Sequence, residues 1–443
     1  MSMNDFMNRI EARNPHQPEF IRAVKEVVES VWTEYEQRAD LYRGNILERM
    51  IEPERQLFFR VTWEDDQGEI HVNRAYRIQY NSALGPYKGG MRFQPEVSLS
   101  MLKALGFEQI FKNSLTTLAM GSGKGGADFD PKGKSDREVM RFCRSLMSEL
   151  YRHIGANIDI PARDVGVSER EIGYLFGAYN KIKNDYTGVL TGRSVGLGGS
   201  PLRTEAAGYG CAYFVEEMLN TQGDSLEGKT VAISGAGNVA QYAIQKIHEL
   251  GGRVVTVSDT DGTIHDPEGI SGEKWAFLLN LKNTQRGSLE AYAEAFGVHY
   301  YPGEKPWRVP CDVAIPCGNW NEITEIETAE LLKNGCLCIA EGANMAVTPA
   351  AVKMIQDAGI LFATGKTVNA GGVAASGFEM SQTSQRLTWE AAEVDEKLKD
   401  TMKNIHAQCV EYGKNGQRID YIKGANLAGF LRVADAMLAR GLG

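Results

Sequence analysis

The run Thr230-Val231-Ala232-Ile233-Ser234, followed at once by Gly235-Ala236-Gly237-Asn238-Val239-Ala240, constrains the fold more than any other segment. Five mostly apolar residues of this kind predict a buried strand, and Gln241 to Leu250 predicts a helix directly after the turn. Strand, GxGxxA turn and helix in that order form a dinucleotide fingerprint, with alanine where a third glycine often stands. Gly235 permits the tight turn, Gly237 lets backbone approach a pyrophosphate, and Ala240 lets helix and strand pack closely. The helix start offers unpaired N–H groups and the positive end of its dipole. Gly235, Ala236, Gly237, Asn238 and Val239 are therefore candidate cofactor contacts. A second strand, ending at Val257, runs into Ser258-Asp259-Thr260-Asp261. Asp259, Thr260 and Asp261 are candidates for reading the adenosine ribose, and an acid there favours NAD. A 2′-phosphate beside these acids requires basic compensation, for which Lys282 and Arg286 are placed. The bland alternative is an ordinary α/β crossover with a glycine turn.

Short apolar runs recur at Arg253–Ser258, Val313–Pro316, Cys336–Ala340 and Leu361–Ala363 with helical stretches between them, the rhythm of a mostly parallel sheet. Upstream, Pro18 to Gln37 has helical spacing, and Leu57–Trp63 and Ile70–Tyr80 read as strands joined by a hairpin at Asp65-Asp66-Gln67-Gly68. Helices are expected over about Leu102–Thr117, Ser135–His153 and Ser168–Tyr179, with a turn at Pro161-Ala162-Arg163-Asp164. Two glycine-rich segments, Gly85–Met91 and Gly121–Gly126, interrupt them. A domain boundary is expected near Ser200, where Ser200-Pro201 supplies a cap and a first-turn proline for a helix to about Asn220. A last long amphipathic helix covers about Glu390–Val410.

The net charge of -9 disfavours a nucleic-acid partner. Seven scattered cysteines without a CxxC suit buried thiols in a reducing compartment, and seven histidines show no metal-binding spacing. No apolar stretch reaches membrane length. A cytoplasmic protein with neither metal nor membrane partner is the expectation.

Three lysines carry the remaining signal. Lys88 lies in Gly85-Pro86-Tyr87-Lys88-Gly89-Gly90-Met91-Arg92, and Lys124 in Gly121-Ser122-Gly123-Lys124-Gly125-Gly126. Lys112 follows Gln109 by one helical turn, so both can reach one carboxylate. Glycines around a lysine strip away covering side chains. A phosphate loop at Lys124 is disfavoured, because Gly125 stands where Ser or Thr must hold magnesium. Asp164 is a further candidate, with turn capping as its plain alternative.

The segments GPYKGGMRF (Gly85–Phe93), KNSLTTLAMGSGKGG (Lys112–Gly126), PARDVG (Pro161–Gly166) and NAGGVAASGFEMSQ (Asn369–Gln382), with the nucleotide turn, resemble the small two-domain hexameric glutamate dehydrogenases of the Glu/Leu/Phe/Val dehydrogenase family over roughly residues 10–440. The resemblance implies an α/β chain of two domains. An N-terminal substrate and oligomerisation domain would cover residues 1–200, completed by C-terminal helices over about 371–443. A Rossmann-like coenzyme domain would cover 201–370. It also implies Lys124 and Asp164 as catalytic residues, and Lys88, Gln109, Lys112, Arg203, Val373 and Ser376 as substrate-binding. Asn238, Asn321 and Asn344 join the coenzyme contacts. Glutamate, 2-oxoglutarate and ammonium would be the substrates, NADP (or NAD) the coenzyme, and a homohexamer the assembly. The coenzyme signals are mixed: Ser258-Asp259 and Lys282 look like NADP-preferring members, Asp261 like NAD-preferring ones. The chain departs from the family pattern at Ala207, at Ala346 and across Thr191–Ser200. The nearest rival is a branched-chain or aromatic amino-acid dehydrogenase, which would face its substrate with apolar residues rather than Lys88. A non-catalytic binding protein on the same fold is the other alternative.

Overall fold

The computed structural model describes residues 2–416 and 418–442. The chain divides into two compact units: Met1–Pro201 with Ala375–Val394 and Asn426–Gly443, and Leu202–Ala374 with Asp395–Ala425. The first unit opens with helices α1 (Met3–Arg13), α2 (Pro18–Gln37), α3 (Ala39–Arg43) and α4 (Ile46–Ile51). Strands β1 (Arg55–Glu64), β2 (Ile70–Asn81) and β3 (Tyr87–Phe93) follow, then α5 (Leu99–Leu115), β4 (Ser122–Ala127), α6 (Asp136–Leu150), β5 (Asp159–Ala162) and α7 (Glu169–Lys183). Capping boxes begin α6 and α7, in which Ser135 pairs with Glu138 and Ser168 with Glu171.

The sheet of this unit has the order β1-β2-β4-β3-β5. One face carries Ile78 and Tyr80 into a core with α2 and α5, and the other carries Met91, Phe93 and Ala127 against α6 and α7. Both glycine-rich segments are interior strands, β3 and β4, rather than loops. Their close spacing explains the composition: a Cβ on Gly89 would lie 1.7 Å from the Gly123 carbonyl oxygen. Pro161, read as part of a turn, instead lies in β5 opposite Gly89. That strand is at the sheet edge, where a residue without an N–H is tolerated.

The second unit contains α8 (Ala206–Asn220), β6 (Thr230–Ile233), α9 (Asn238–Glu249), β7 (Arg253–Ser258), β8 (Gly262–His265), α10 (Gly272–Leu279), α11 (Glu290–Phe296) and β9 (His299–Pro302). It continues through β10 (Val313–Ile315), α12 (Glu325–Lys333), β11 (Cys338–Ala340), α13 (Pro349–Ala358), β12 (Leu361–Ala363) and α14 (Gly365–Val368). The chain ends with α15 (Gly371–Gln385), α16 (Ala391–Gly413), the short strands β13 (Lys414–Asn415) and β14 (Arg418–Ile419), and α17 (Tyr421–Ala439). The seven-stranded sheet runs β12-β11-β10-β6-β7-β8-β9, parallel from β12 to β7 and antiparallel at β8 and β9. Strand β6 has β7 on one side and β10 on the other, so the chain order reverses around it. Such a switch point opens a crevice at the strands' carboxyl ends.

Two further sequence expectations are corrected. The helix expected from Pro201 begins at Ala206, because Leu202 adopts a left-handed conformation (φ 56°) and the Ser200 hydroxyl is engaged by Gln382 Nε2 at 2.8 Å instead of capping. Asp395–Ala425 falls in the second unit, although the sequence reading gave that stretch to the first.

Lys103 on α5 is 2% exposed, its ammonium 2.5 Å from Asn14 Oδ1 and 4.0 Å from the Phe20 ring centre. Burial brings its pKa down to about 8, with Glu52 pulling the other way and Arg13 adding to the fall. A lowered lysine pKa means that the folded state disfavours the ammonium. The penalty is full below about pH 8 and fades as pH rises toward the unfolded value of 10.5. The stability of Lys103→Met relative to the natural protein is therefore expected to fall between pH 8 and 10. Parallel urea titrations check this; a difference independent of pH refutes it.

Candidate active site

Antiparallel pairing of β4 with β2 sets Lys124 opposite Ile78, and alternation turns both toward α5. A Cβ on Gly106 of that helix would sit 3.4 Å from Lys124 Cβ, so α5 lies directly over the lysine. The Lys124 ammonium is 2.5 Å from Asp164 Oδ2, and the Arg92 guanidinium reaches both oxygens of Asp164, Nε at 3.3 Å and Nη2 at 3.2 Å. Asp164 follows β5 and packs on Gly90 of β3, where a Cβ would come within 2.7 Å of its own.

Burial lowers the Lys124 pKa, and the nearby charges of Arg92 and Arg77 push the same way; the attraction of Asp164 opposes them without reversing the direction. For Asp164, burial works against the charge, but Lys124 and Arg92 outweigh it and hold the carboxyl below the ordinary range. The pair is thus a buried carboxylate, locked by a guanidinium, beside an amine poised to lose its proton more easily than a solvated lysine.

Arg92 was not singled out from sequence, nor were two other residues that organise the site. Arg77 is fully buried, pairs with Asp159, and donates to the Gly89 carbonyl at 3.1 Å, fixing the strand that carries Lys88. Asn113 donates to the carbonyls of Lys88 (3.1 Å) and Gly121 (2.6 Å) and accepts from Gln109 Nε2 (2.5 Å). Sequence signals for them existed, a charged residue within an apolar strand and an Asn one turn after Gln109, but neither names a partner.

Lys88 is 1% exposed on β3, the neighbour of β4, and Lys112 is half-buried one turn beyond Gln109. Ser376 is 1% exposed on α15, whose next residue, Gly377, packs on Leu118 and Met120. Lys88, Gln109, Lys112, Lys124, Asp164 and Ser376 all belong to the first unit. Arg203 and Val373 belong to the second, where Arg203 and Ala207 approach Gly372. The Thr191–Ser200 segment is pinned by Arg193, which is 2% exposed, ion-paired with Glu379 at 3.3 Å and 4.9 Å from the Phe176 ring centre.

In the second unit the fingerprint turn fits a dinucleotide. Gly235 is left-handed (φ 77°), and a Cβ there would meet the Cys317 carbonyl oxygen at 2.8 Å. Nothing lies within 4 Å of a Cβ position on Gly237, the residue before α9, whose start has no side-chain cap. Open space over an uncapped helix start suits a pyrophosphate. The Gly235 N–H donates to Ser258 Oγ at 3.1 Å, tying the turn to the end of β7. Beyond it, Asp259 Oδ2 is 2.8 Å from Lys282 Nζ, and Asp259 Oδ1 accepts from the Asp261 N–H at 2.9 Å. Lys282 also donates to the Gly287 carbonyl at 2.9 Å. The lysine thus neutralises one of the two acids that follow β7, leaving Thr260 and Asp261 exposed. Asn321 (φ 53°) donates its N–H to the Met345 carbonyl at 2.9 Å, and Asn344 Oδ1 accepts from Asn369 Nδ2 at 3.0 Å. Among the described residues no group of His, Cys, Asp and Glu is arranged to hold a metal, and no helix is long and apolar enough to cross a membrane.

Comparison with known proteins agrees with this division of labour. Residues 198–441 match the family described as Glutamate/Leucine/Phenylalanine/Valine dehydrogenase, and residues 53–181 match its dimerisation domain. The chain is 54% identical over 443 residues to the NADP-specific glutamate dehydrogenase of Haemophilus influenzae, covering 100% of this chain and 99% of that one. It is 52% identical to the NAD(P)-specific glutamate dehydrogenase of Xylanibacter ruminicola, covering 100% of both. The crystal structure of a Plasmodium falciparum glutamate dehydrogenase superposes with a TM-score of 0.96 at 48% identity, covering 100% of this chain and 95% of that one. A hetero-hexameric glutamate dehydrogenase of Thermus thermophilus superposes with a TM-score of 0.80 at 25% identity, covering 93% and 97%. The chain belongs to the Glu/Leu/Phe/Val dehydrogenase family.

Proposed function

We propose that this protein is an NAD(P)-dependent glutamate dehydrogenase, slightly favouring NADP, that converts L-glutamate, NAD(P)+ and water to 2-oxoglutarate, ammonium, NAD(P)H and a proton. The observation that carries the substrate reading is Lys88, a buried cation on the strand beside the Lys124–Asp164 pair. A dicarboxylate needs positive charge at two separated points. Lys88 and Ser376 hold the side-chain carboxylate and Gln109 and Lys112 the α-carboxylate; Val373 and Arg203 are carried over from the family resemblance as further substrate contacts. A leucine or phenylalanine side chain would instead set hydrocarbon against a buried ammonium, at a cost of several kcal/mol.

A nicotinamide coenzyme bound at the Gly235 turn would supply the hydride acceptor for the substrate α-carbon. The iminium left behind is attacked by water, and Lys124 takes the proton from that water. Asp164 exchanges protons with the departing nitrogen, and Arg92 keeps its carboxylate aimed. Gly235, Ala236, Gly237, Asn238 and Val239 hold the pyrophosphate, and Asn321 and Asn344 contact the rest of the coenzyme. The pairing of Lys282 with Asp259 lessens the repulsion a 2′-phosphate would meet, which supports NADP; Asp261 keeps NAD within reach.

The reading includes a homohexamer in the cytoplasm. Its support is the match to a dimerisation domain, the hetero-hexameric Thermus relative, and the edge strand β1. There Phe58, 65% exposed, stacks on Tyr76 of β2, which also carries Val72, itself 65% exposed. Initial rates with NADP and NAD, on glutamate and leucine, test the proposal. Glutamate with NADP is expected to be fastest. Faster turnover of leucine overturns the substrate, faster turnover with NAD the coenzyme order, and a flat nicotinamide absorbance the enzymatic reading.

A further inference from the structure

One half-buried carboxyl group, that of Glu322, takes no part in these steps yet lies among the segments around the nucleotide turn. Its Oε2 accepts the backbone N–H groups of Gly318 and Asn319, each at 3.2 Å. The loop is tied to the turn by Ser234, whose Oγ accepts the Cys317 N–H at 3.1 Å. Ser234 immediately precedes Gly235, whose turn presses on the Cys317 carbonyl. On the other side of Glu322, the N–H groups of Asn321 and Ile323 donate to the carbonyls of Met345 and Ala346, each at 2.9 Å. The glycine turn and the Asn344–Ala346 segment are therefore both bonded to Cys317–Ile323, the loop whose Gly318 and Asn319 N–H groups this side chain holds. Capping of α12 does not explain it, since that helix is capped by Thr324 with Glu327. Nor does an ion pair: Lys305 is spent on Glu327 and on the Glu322 main-chain carbonyl.

We propose that Glu322 is a positioning residue for the coenzyme: its carboxylate fixes the Cys317–Asn321 loop, which Ser234 joins to the turn, so that the loop and the nucleotide turn present a single preformed surface. This rests on the reading that NAD(P) binds at the Gly235 turn. Removing the carboxylate frees two backbone donors, and ordering them again on binding weakens affinity.

The test is NADPH fluorescence titration together with steady-state kinetics on the natural protein, Glu322→Ala, Glu322→Gln and Gly318→Ala. Glu322→Ala is expected to raise the NADPH Kd and coenzyme KM about tenfold, with glutamate KM and kcat changed by less than about threefold. Glu322→Gln should recover most of the affinity, because its amide oxygen can accept the same two N–H groups. Gly318→Ala keeps the carboxyl but displaces it, since the new Cβ would lie 2.8 Å from Oε2. It should weaken NADPH like Glu322→Ala, and it carries the test if that variant does not fold. Unchanged NADPH affinity in Glu322→Ala or in Gly318→Ala overturns the proposal, as does a glutamine variant as weak as the alanine one. A natural protein that binds no NADPH overturns the parent reading instead.

Discussion

Replacing Lys124 with alanine is expected to lower kcat by about 10²- to 10⁴-fold, the range for loss of a positioned general base, while leaving the fold in place. The fold should survive because Asp164 keeps its two contacts with Arg92 and is not left as a bare buried charge. The pH profile separates this role from a structural one. Burial and the flanking guanidiniums lower the Lys124 pKa, so its free amine becomes available at a lower pH than that of a solvated lysine, near 10.4. Deamination should therefore rise with pH through that lowered value in the natural protein, and this limb should vanish in Lys124→Ala. Lys124→Arg sharpens the test. It preserves the ion pair with Asp164 but cannot give up a proton, so it should be nearly as slow as the alanine variant. Near-normal turnover by either variant across pH 6 to 9 would remove Lys124 from the chemistry.

Features set by local sequence were legible before the structure. The helical spacing of Pro18–Gln37 coincides with α2, the acidic turn at Asp65–Gly68 joins β1 to β2, and the short apolar runs mark the parallel strands of the second unit. The strands that hold the candidate chemistry were not legible. Gly-rich β3 and β4 lack the alternation and β-branched residues that mark a strand, because neighbouring backbone and α5 take the space that side chains would fill. Partners distant in sequence were equally hidden. Arg92 and Asp164 stand 72 residues apart, and only the parallel pairing of β3 with β5 brings their segments together. The long C-terminal helix shows a further limit. Its buried stripe, which includes Leu398, Met402, Ile405 and Cys409, was plain from periodicity, but periodicity says that a face is covered and not by which unit.

The second large effect is expected at Lys88. Lys88→Leu should lower kcat/KM for glutamate by about 10²-fold or more, because the substrate's side-chain carboxylate loses a buried charged partner, a change typically costing 2–5 kcal/mol. For norvaline, which ends in a methyl group, kcat/KM should hold or rise, since an apolar end then meets an apolar wall. The backbone of β3 has independent support: Asn113 grips the main-chain carbonyl of Lys88, and Arg77 that of Gly89. Lys124 and Asp164 should accordingly keep their geometry, so the pH dependence of the surviving activity should match that of the natural protein. Loss of activity on both substrates alike would mean that Lys88 supports the site without reading the substrate. An unchanged glutamate-to-norvaline ratio would leave the dicarboxylate reading without its main physical warrant.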